Sequence, residues 1–249
     1  MIWDSENKIL FSSLISNRGS PVTFQDVALG HVKQTKYFCL RHDIDHYDNL
    51  ENMIHFAVLE YKLGISSTIF IKMADYFQYS QKFVDKLKVF VDLGHNIGLH
   101  IDVIEHFRNQ LHNVKQIIEI PLNFLRKHGI YIYGVSAHGG KNVYNYAFNY
   151  EMWKELDPSK NEIIGKLSIP KISLMDLELL YETYFLDFDF FFGDSAGVWC
   201  GTRKLIPLPF EKHQREHKEN IGLKIFDIHD QEGGFLQVLI HPTNRWRFI

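Results

Sequence analysis

Lys36-Tyr-Phe-Cys-Leu-Arg-His-Asp-Ile-Asp-His46 is the stretch that decides the fold. A short apolar run, Lys36 to Leu40, ends in the polar cluster Arg41 to His46. That pattern reads as a buried strand presenting side chains at its C-terminal end. Beyond it, Leu50, Met53, Ile54, Ala57, Val58 and Tyr61 recur at helical spacing over Asn49 to Leu63, and Gly64 suits the cap. Ser67 to Lys72 reads as a second strand, Tyr79 to Leu93 as a second helix closed by Gly94, and His95 to Asp102 as a third strand. A helix is expected over roughly residues 105–128, ended by Gly129 and kinked at Pro121. Tyr131 to His138 is a fourth strand running into Gly139-Gly140. Strand and helix thus alternate four times, which argues for parallel strands with covering helices. The strands deliver Asp43 and Asp45, then Thr68, then His100, then His138. In α/β barrels and open α/β sheets alike, sites gather at the C-terminal strand ends.

The second half is less regular. Tyr144 to Leu156 is aromatic-rich and expected over the site, and Pro158 to Lys171 reads as a loop. Phe185 to Phe192 is apolar around Asp187 and Asp189 and leads into Gly193-Asp-Ser-Ala-Gly-Val-Trp199. Lys204 to Glu219 is polar and expected to be exposed, and Phe235 to Ile240 is a final strand ending at His241-Pro242. With no internal repeat and no Pro/Ser-rich linker, residues 1–249 read as a single domain.

Composition narrows the function classes. Hydrophobic residues make up 45% of the 249 and charged residues 23%, which excludes disordered and low-complexity classes. The formal net charge of -3 gives no basic surplus for nucleic acid. Two cysteines, Cys39 and Cys200, cannot form a disulfide scaffold for a chain this long. No signal peptide and no membrane-length apolar run is visible, so a cytoplasmic setting with reduced thiols is expected. The 14 histidines supply many candidate ligands and proton carriers.

Asp43 and Asp45, two residues apart at a strand end, face the same side. Ionised together they repel, and a divalent cation would hold both deprotonated; a turn or helix cap uses the same residues. His100 ends an apolar strand, where a neutral imidazole suits a zinc-type ligand set, while His95 at the strand's start suits a structural hydrogen bond. Ser136-Ala-His138-Gly-Gly140 combines a histidine with a turn that allows close approach of a ligand. His241 is delivered by the last strand, and Asp194 and Trp199 lie in a polar loop that suits a sugar site or a plain surface loop. Each feature alone has an ordinary explanation. Ordinary turns do not account for Asp, Asp, His, His and His at successive strand ends.

In this order, the motifs resemble the polysaccharide deacetylase superfamily of carbohydrate esterases, in a divergent branch that includes proteins of O-antigen and capsule biosynthesis. Leu40-Arg-His-Asp-Ile-Asp45 resembles its first motif and Ser67-Thr-Ile-Phe-Ile71 its second strand. Gly94-His-Asn-Ile-Gly-Leu-His100 resembles its metal-histidine motif, Gly193 to Trp199 an Asp-Ser…Trp segment, and Leu239-Ile-His-Pro242 its terminal catalytic-histidine motif. The likeness spans roughly residues 36–246. It implies an α/β fold, a distorted (β/α) barrel of about seven parallel strands. It implies a divalent metal, with zinc the expected ion, and removal of an acyl group from an N-acylated sugar. By motif position Asp43 is the general base, Asp45 and His100 are metal ligands, and His241 is the general acid. Arg41, Asp194 and Trp199 are expected on the substrate side, and Arg41 or His42 is also expected to orient Asp43. The family's second metal histidine falls at Ile104, and its arginine-proline motif is replaced by Ser136-Ala-His-Gly139. His138, at the next strand end, is the expected third ligand, with Asp102 the alternative. Another C–N hydrolase on the same barrel, an inactive glycan-binding homologue and a scaffolding subunit are the competing functions.

Overall fold

The quoted stretch becomes one long strand. The computed structural model describes residue 12 and residues 18–73, 79–109, 113–139, 147–164, 168–194, 200–203 and 223–242. A short strand β1 (Ser20–Pro21) and a helical turn α1 (Phe24–Ala28) precede β2 (Lys36–Ile44). Then come α2 (Asn49–Lys62), β3 (Thr68–Ile71), α3 (Gln81–Asp92) and β4 (Asn96–Ile101). These follow the sequence reading to within two residues at most ends.

The helix expected over 105–128 is two helices, α4 (Val103–Asn109) and α5 (Val114–Lys127). The second starts afresh because Asn113 caps it: its side chain accepts from the Gln116 N–H at 2.9 Å, and Gln116 reaches back to the Asn113 N–H. Pro121 sits inside α5 and is buried. β5 (Ile132–Ala137) follows. The segment read as a loop, residues 158–171, contains an antiparallel hairpin of β6 (Glu162–Ile164) and β7 (Ser168–Pro170). After these come β8 (Tyr181–Glu182), β9 (Phe190–Gly193), β10 (Cys200–Arg203), α6 (Lys224–Glu232) and β11 (Gly234–Leu239). Trp199 and residues 204–219 lie outside the described residues.

Apart from the hairpin, the strands form one nine-stranded sheet in the order β10-β9-β11-β2-β3-β4-β5-β8, with β1 beside the start of β2. From β9 to β8 every neighbouring pair is parallel, and β10 is antiparallel to β9. From β2 to β8 the strands keep chain order, while β10 lies outside β9, so the two edges of the sheet are β8 and β10. Among the described residues no ladder joins those two, so the sheet is curled and open, a half-barrel. No helix among the described residues is long and apolar enough to cross a membrane.

Alternation along the strands separates two cores. Phe38, Leu40 and Ile44 of β2 pack with Met53 and Phe56 of α2 and Phe83 and Leu87 of α3, in the large cluster beneath the helices. Cys39 points the other way, with Phe70, Phe191, Phe235, Leu239 and Tyr181 from four other strands and Phe24 of α1. This second cluster fills the concave side. Two glycines make room for its rings. A Cβ at Gly98 would lie 2.4 Å from Phe70, and one at Gly134 would lie 2.1 Å from Tyr181. The rings occupy one end of the concave face, and the polar residues of the strand ends occupy the other.

Candidate metal centre

The same alternation places the site. Arg41 and Asp43 follow Cys39 by two and four residues, so both reach the concave face, and Asp45 continues that side just past the end of β2. His100 follows Gly98 on β4, His138 follows Ser136 past the end of β5, and His241 lies two residues past the end of β11. His42 faces the helices instead. Its Nδ1–H donates to the Ile240 carbonyl at 2.9 Å, and its Nε2 lies 2.6 Å from buried Glu60. His95 is likewise structural: its Nε2–H donates to the Ala57 carbonyl and its Nδ1 accepts from the Ser67 N–H.

Asp45, His100 and His138 converge, with one ligand atom from each within 4.8 Å of the others. The Nε2 atoms of His100 and His138 lie 3.3 and 3.6 Å from the Asp45 carboxylate. Both rings have their other nitrogen tied. His100 Nδ1 is 3.0 Å from the Ser136 carbonyl, which only accepts, so that nitrogen carries the proton. His138 Nδ1 is 2.8 Å from Asp102 Oδ2, an ionised oxygen that also only accepts. In the neutral rings both Nε2 atoms therefore present lone pairs to the Asp45 carboxylate. Its Oδ1 is buried with no hydrogen-bond partner among the described residues.

Three electron-pair donors facing one another repel unless a cation lies between them. Ligands ~2.0–2.1 Å from a tetrahedral ion stand about 3.3–3.4 Å apart, close to the separations found here. Two imidazoles and one carboxylate leave a fourth position open, as in catalytic zinc sites. The residues fit a divalent metal. Asp102, the alternative ligand, stands behind His138 and orients it.

Three polar pairs surround the triad. Arg41 is fully buried and its Nη2 donates to Asp43 Oδ2 at 3.1 Å, while its Nη1 donates to Thr183 at 2.7 Å. Asp43 Oδ2 is also 3.6 Å from His100 Nε2, at the edge of the triad. His241 Nδ1 is bound to Asp194 at 2.7 Å, and the Asp194 carboxylate accepts the His241 backbone N–H as well. His241 Nε2 points to Asp45 Oδ2 at 3.9 Å. Lys72, just past the end of β3, pairs with Asp102 at 2.9 Å.

Burial by itself would disfavour the charged forms here. For Asp45, a hydrogen bond from His100 and the charges of His100, His241 and His138, in the metal-free site where those rings carry both protons, outweigh burial and hold the carboxyl well below the usual range. For Asp102, His138 and Lys72 do the same. Burial opposes a charge on His241, but the bond to Asp194 and the nearby Asp43 and Asp45 push its pKa up to about 9.

Five of the sequence-derived site residues, Asp43, Asp45, His100, His138 and His241, are thus brought together. Of the two residues expected to orient Asp43, Arg41 binds it and His42 does not, while Asp194, expected on the substrate side, binds His241. Trp199 lies outside the described residues. Lys72 and Asn149 went unnoticed in the sequence. Asn149 donates to both Asp102 Oδ1 and the His138 carbonyl and accepts from the Ile104 N–H. It lies in the aromatic segment expected over the site, which was the available signal. Comparison with protein-family models, curated proteins and solved structures returned no match.

Proposed function

We propose that this chain is a metal-dependent hydrolase that removes the acyl group from an N-acylated amino sugar. The convergence of two histidine lone pairs on the Asp45 carboxylate is the observation that supports it most. The resemblance of the strand-end motifs to polysaccharide deacetylases supplies the substrate class. The run of parallel strands from β9 round to β8 supports a distorted (β/α) barrel, open between the edge strands β8 and β10. Asp45, His100 and His138 would hold the ion, with zinc suited to this donor set. A bound divalent ion supplies polarisation of the acyl carbonyl and a water whose pKa falls from ~15.7 towards ~7.

The chain's own groups do the proton work. Asp43, oriented by the hydrogen bond from Arg41, takes a proton from the attacking water. The C–N bond breaks, and His241, protonated through Asp194, gives its proton to the departing amine. The products are a carboxylic acid and a free amino sugar. A cytoplasmic setting favours a nucleotide-linked or lipid-linked intermediate of a surface glycan.

The test is acid release from a panel of N-acetylated nucleotide sugars by metal-loaded protein, compared with Asp43→Asn. Turnover should fall by ~10²–10⁴-fold in the variant, with metal retained. Loss of metal in Asp43→Asn would make Asp43 a ligand. No turnover on any N-acylated sugar would overturn the substrate reading.

A further inference from the structure

Beside the triad lies a chamber of about 440 Å³, between the ends of β3 and β4 and the helices α4 and α5. It shares His100 and Asp102 with the site. Its walls are mostly hydrocarbon, including Ile71, Met73, Leu99, Ile117, Ile118 and Pro121. Among the described residues, the basic side chains that line it are already engaged: His100 with the Ser136 carbonyl and the triad, and Lys72 and His106 with Asp102. Lys72 pairs with its carboxylate at 2.9 Å, and His106 Nδ1–H donates to its backbone carbonyl at 2.8 Å.

Such a wall is poorly matched to a sugar ring, which needs several hydrogen-bond partners. It is well matched to an alkyl chain. The volume is about three times the ~150 Å³ that takes up one benzene, so a chain of roughly eight carbons fits. It also falls within the ~300–1,000 Å³ of ordinary ligand pockets.

We infer that this chamber binds an alkyl chain of the substrate, with the scissile amide placed at the triad. The inference rests on the hydrolase reading above and narrows its substrate to one carrying a medium-length chain. The chain comes either from the acyl group itself or from an alkyl carrier on the sugar.

Three probes distinguish these sources: N-acetylglucosamine, N-octanoylglucosamine and the octyl glycoside of N-acetylglucosamine. Binding to the zinc-loaded chain is measured by calorimetry. Each buried methylene is worth about fourfold in affinity, the equivalent of ~0.8 kcal/mol. At least one eight-carbon probe should therefore bind about 100-fold or more tighter than the acetyl compound. Tight N-octanoyl binding assigns the chain to the acyl group, and tight octyl glycoside binding assigns it to the carrier.

Ile120 lines the chamber and is nearly half exposed, so Ile120→Glu tests the site with little risk to folding. Ile117→Trp fills the chamber from its wall. Each should remove most of the chain-length gain and leave N-acetylglucosamine binding and metal content unchanged. Equal affinity for all three probes overturns the inference. So does a chain-length gain that survives both substitutions, because the chain then sits elsewhere. Hydrolysis is scored separately. Chain-dependent binding without turnover keeps the chamber and removes the hydrolase reading, and turnover without chain dependence does the reverse.

Discussion

Asp102→Asn tests how the triad is held. The Asp102 carboxylate accepts from His138 Nδ1 at 2.8 Å, Lys72 at 2.9 Å and Asn149 Nδ2 at 3.2 Å. All three partners are donors. An asparagine of the same shape keeps one oxygen for them and turns an NH₂ group towards a donor. Lys72 loses the charge it faces, and His138 loses the carboxylate that fixes its tautomer and raises the basicity of Nε2. Losing such a partner typically weakens metal binding by 10–100-fold, or about 1.4–2.7 kcal/mol. The assay is zinc titration of metal-stripped protein against a chromogenic chelator, with thermal melts to check folding. A folded Asp102→Asn that binds zinc as tightly as the unaltered chain would refute the reasoning. His138 would then not be a ligand, or Asp102 would not orient it.

Two further outcomes follow from buried charges. His241 has its pKa raised to about 9, so the stability it contributes is full below about 6.5 and lost as pH rises through about 9. The groups facing it are Asp194, Asp43 and Asp45. Asp194→Asn should move that loss to lower pH, as read by chemical denaturation of the metal-free protein between pH 6 and pH 10. Glu182 is fully buried, and burial is the main cause that pushes its pKa up to about 7, against the Ala137 N–H and Arg41. Its sign is the same: stability is full below about 4.5 and lost as pH rises through about 7, by on the order of 3 kcal/mol. Glu182→Gln keeps an acceptor for the Ala137 N–H and should flatten the stability profile between pH 4.5 and pH 7.

The first half of the chain was legible because each strand from β2 to β4 is an apolar run followed by an amphipathic helix, and β5 is a further apolar run. Local alternation and helical spacing were enough there. The break between α4 and α5 had a local signal too, the Asn113–Gln116 capping box, but the apolar spacing on either side masked it. β8 and β10 span two and four residues, too short for any period to register. They exist because pairing holds them, β8 to the distant β5 and β10 to the preceding β9.

The site divides in the same way. Asp43, Asp45, His100, His138 and His241 were visible because strand ends announce themselves. Arg41 shares a face with Asp43, two residues on, so its partner was readable from strand spacing. The Asn149 bond to Asp102 joins residues 47 apart, and so does the Asp194 bond to His241. Neither leaves a local trace. Whether His138 or Asp102 faces the triad depended on which one the curl of the sheet puts in front, and only the fold sets that.

Metal content per chain is the most direct measurement, by elemental mass spectrometry on the 249-residue chain purified without chelating resin. Close to one zinc, or another first-row divalent ion, per chain is the expected result, falling towards zero in His100→Ala and His138→Ala. No bound metal after incubation with zinc, cobalt or manganese would contradict the central claim that Asp45, His100 and His138 form a metal centre.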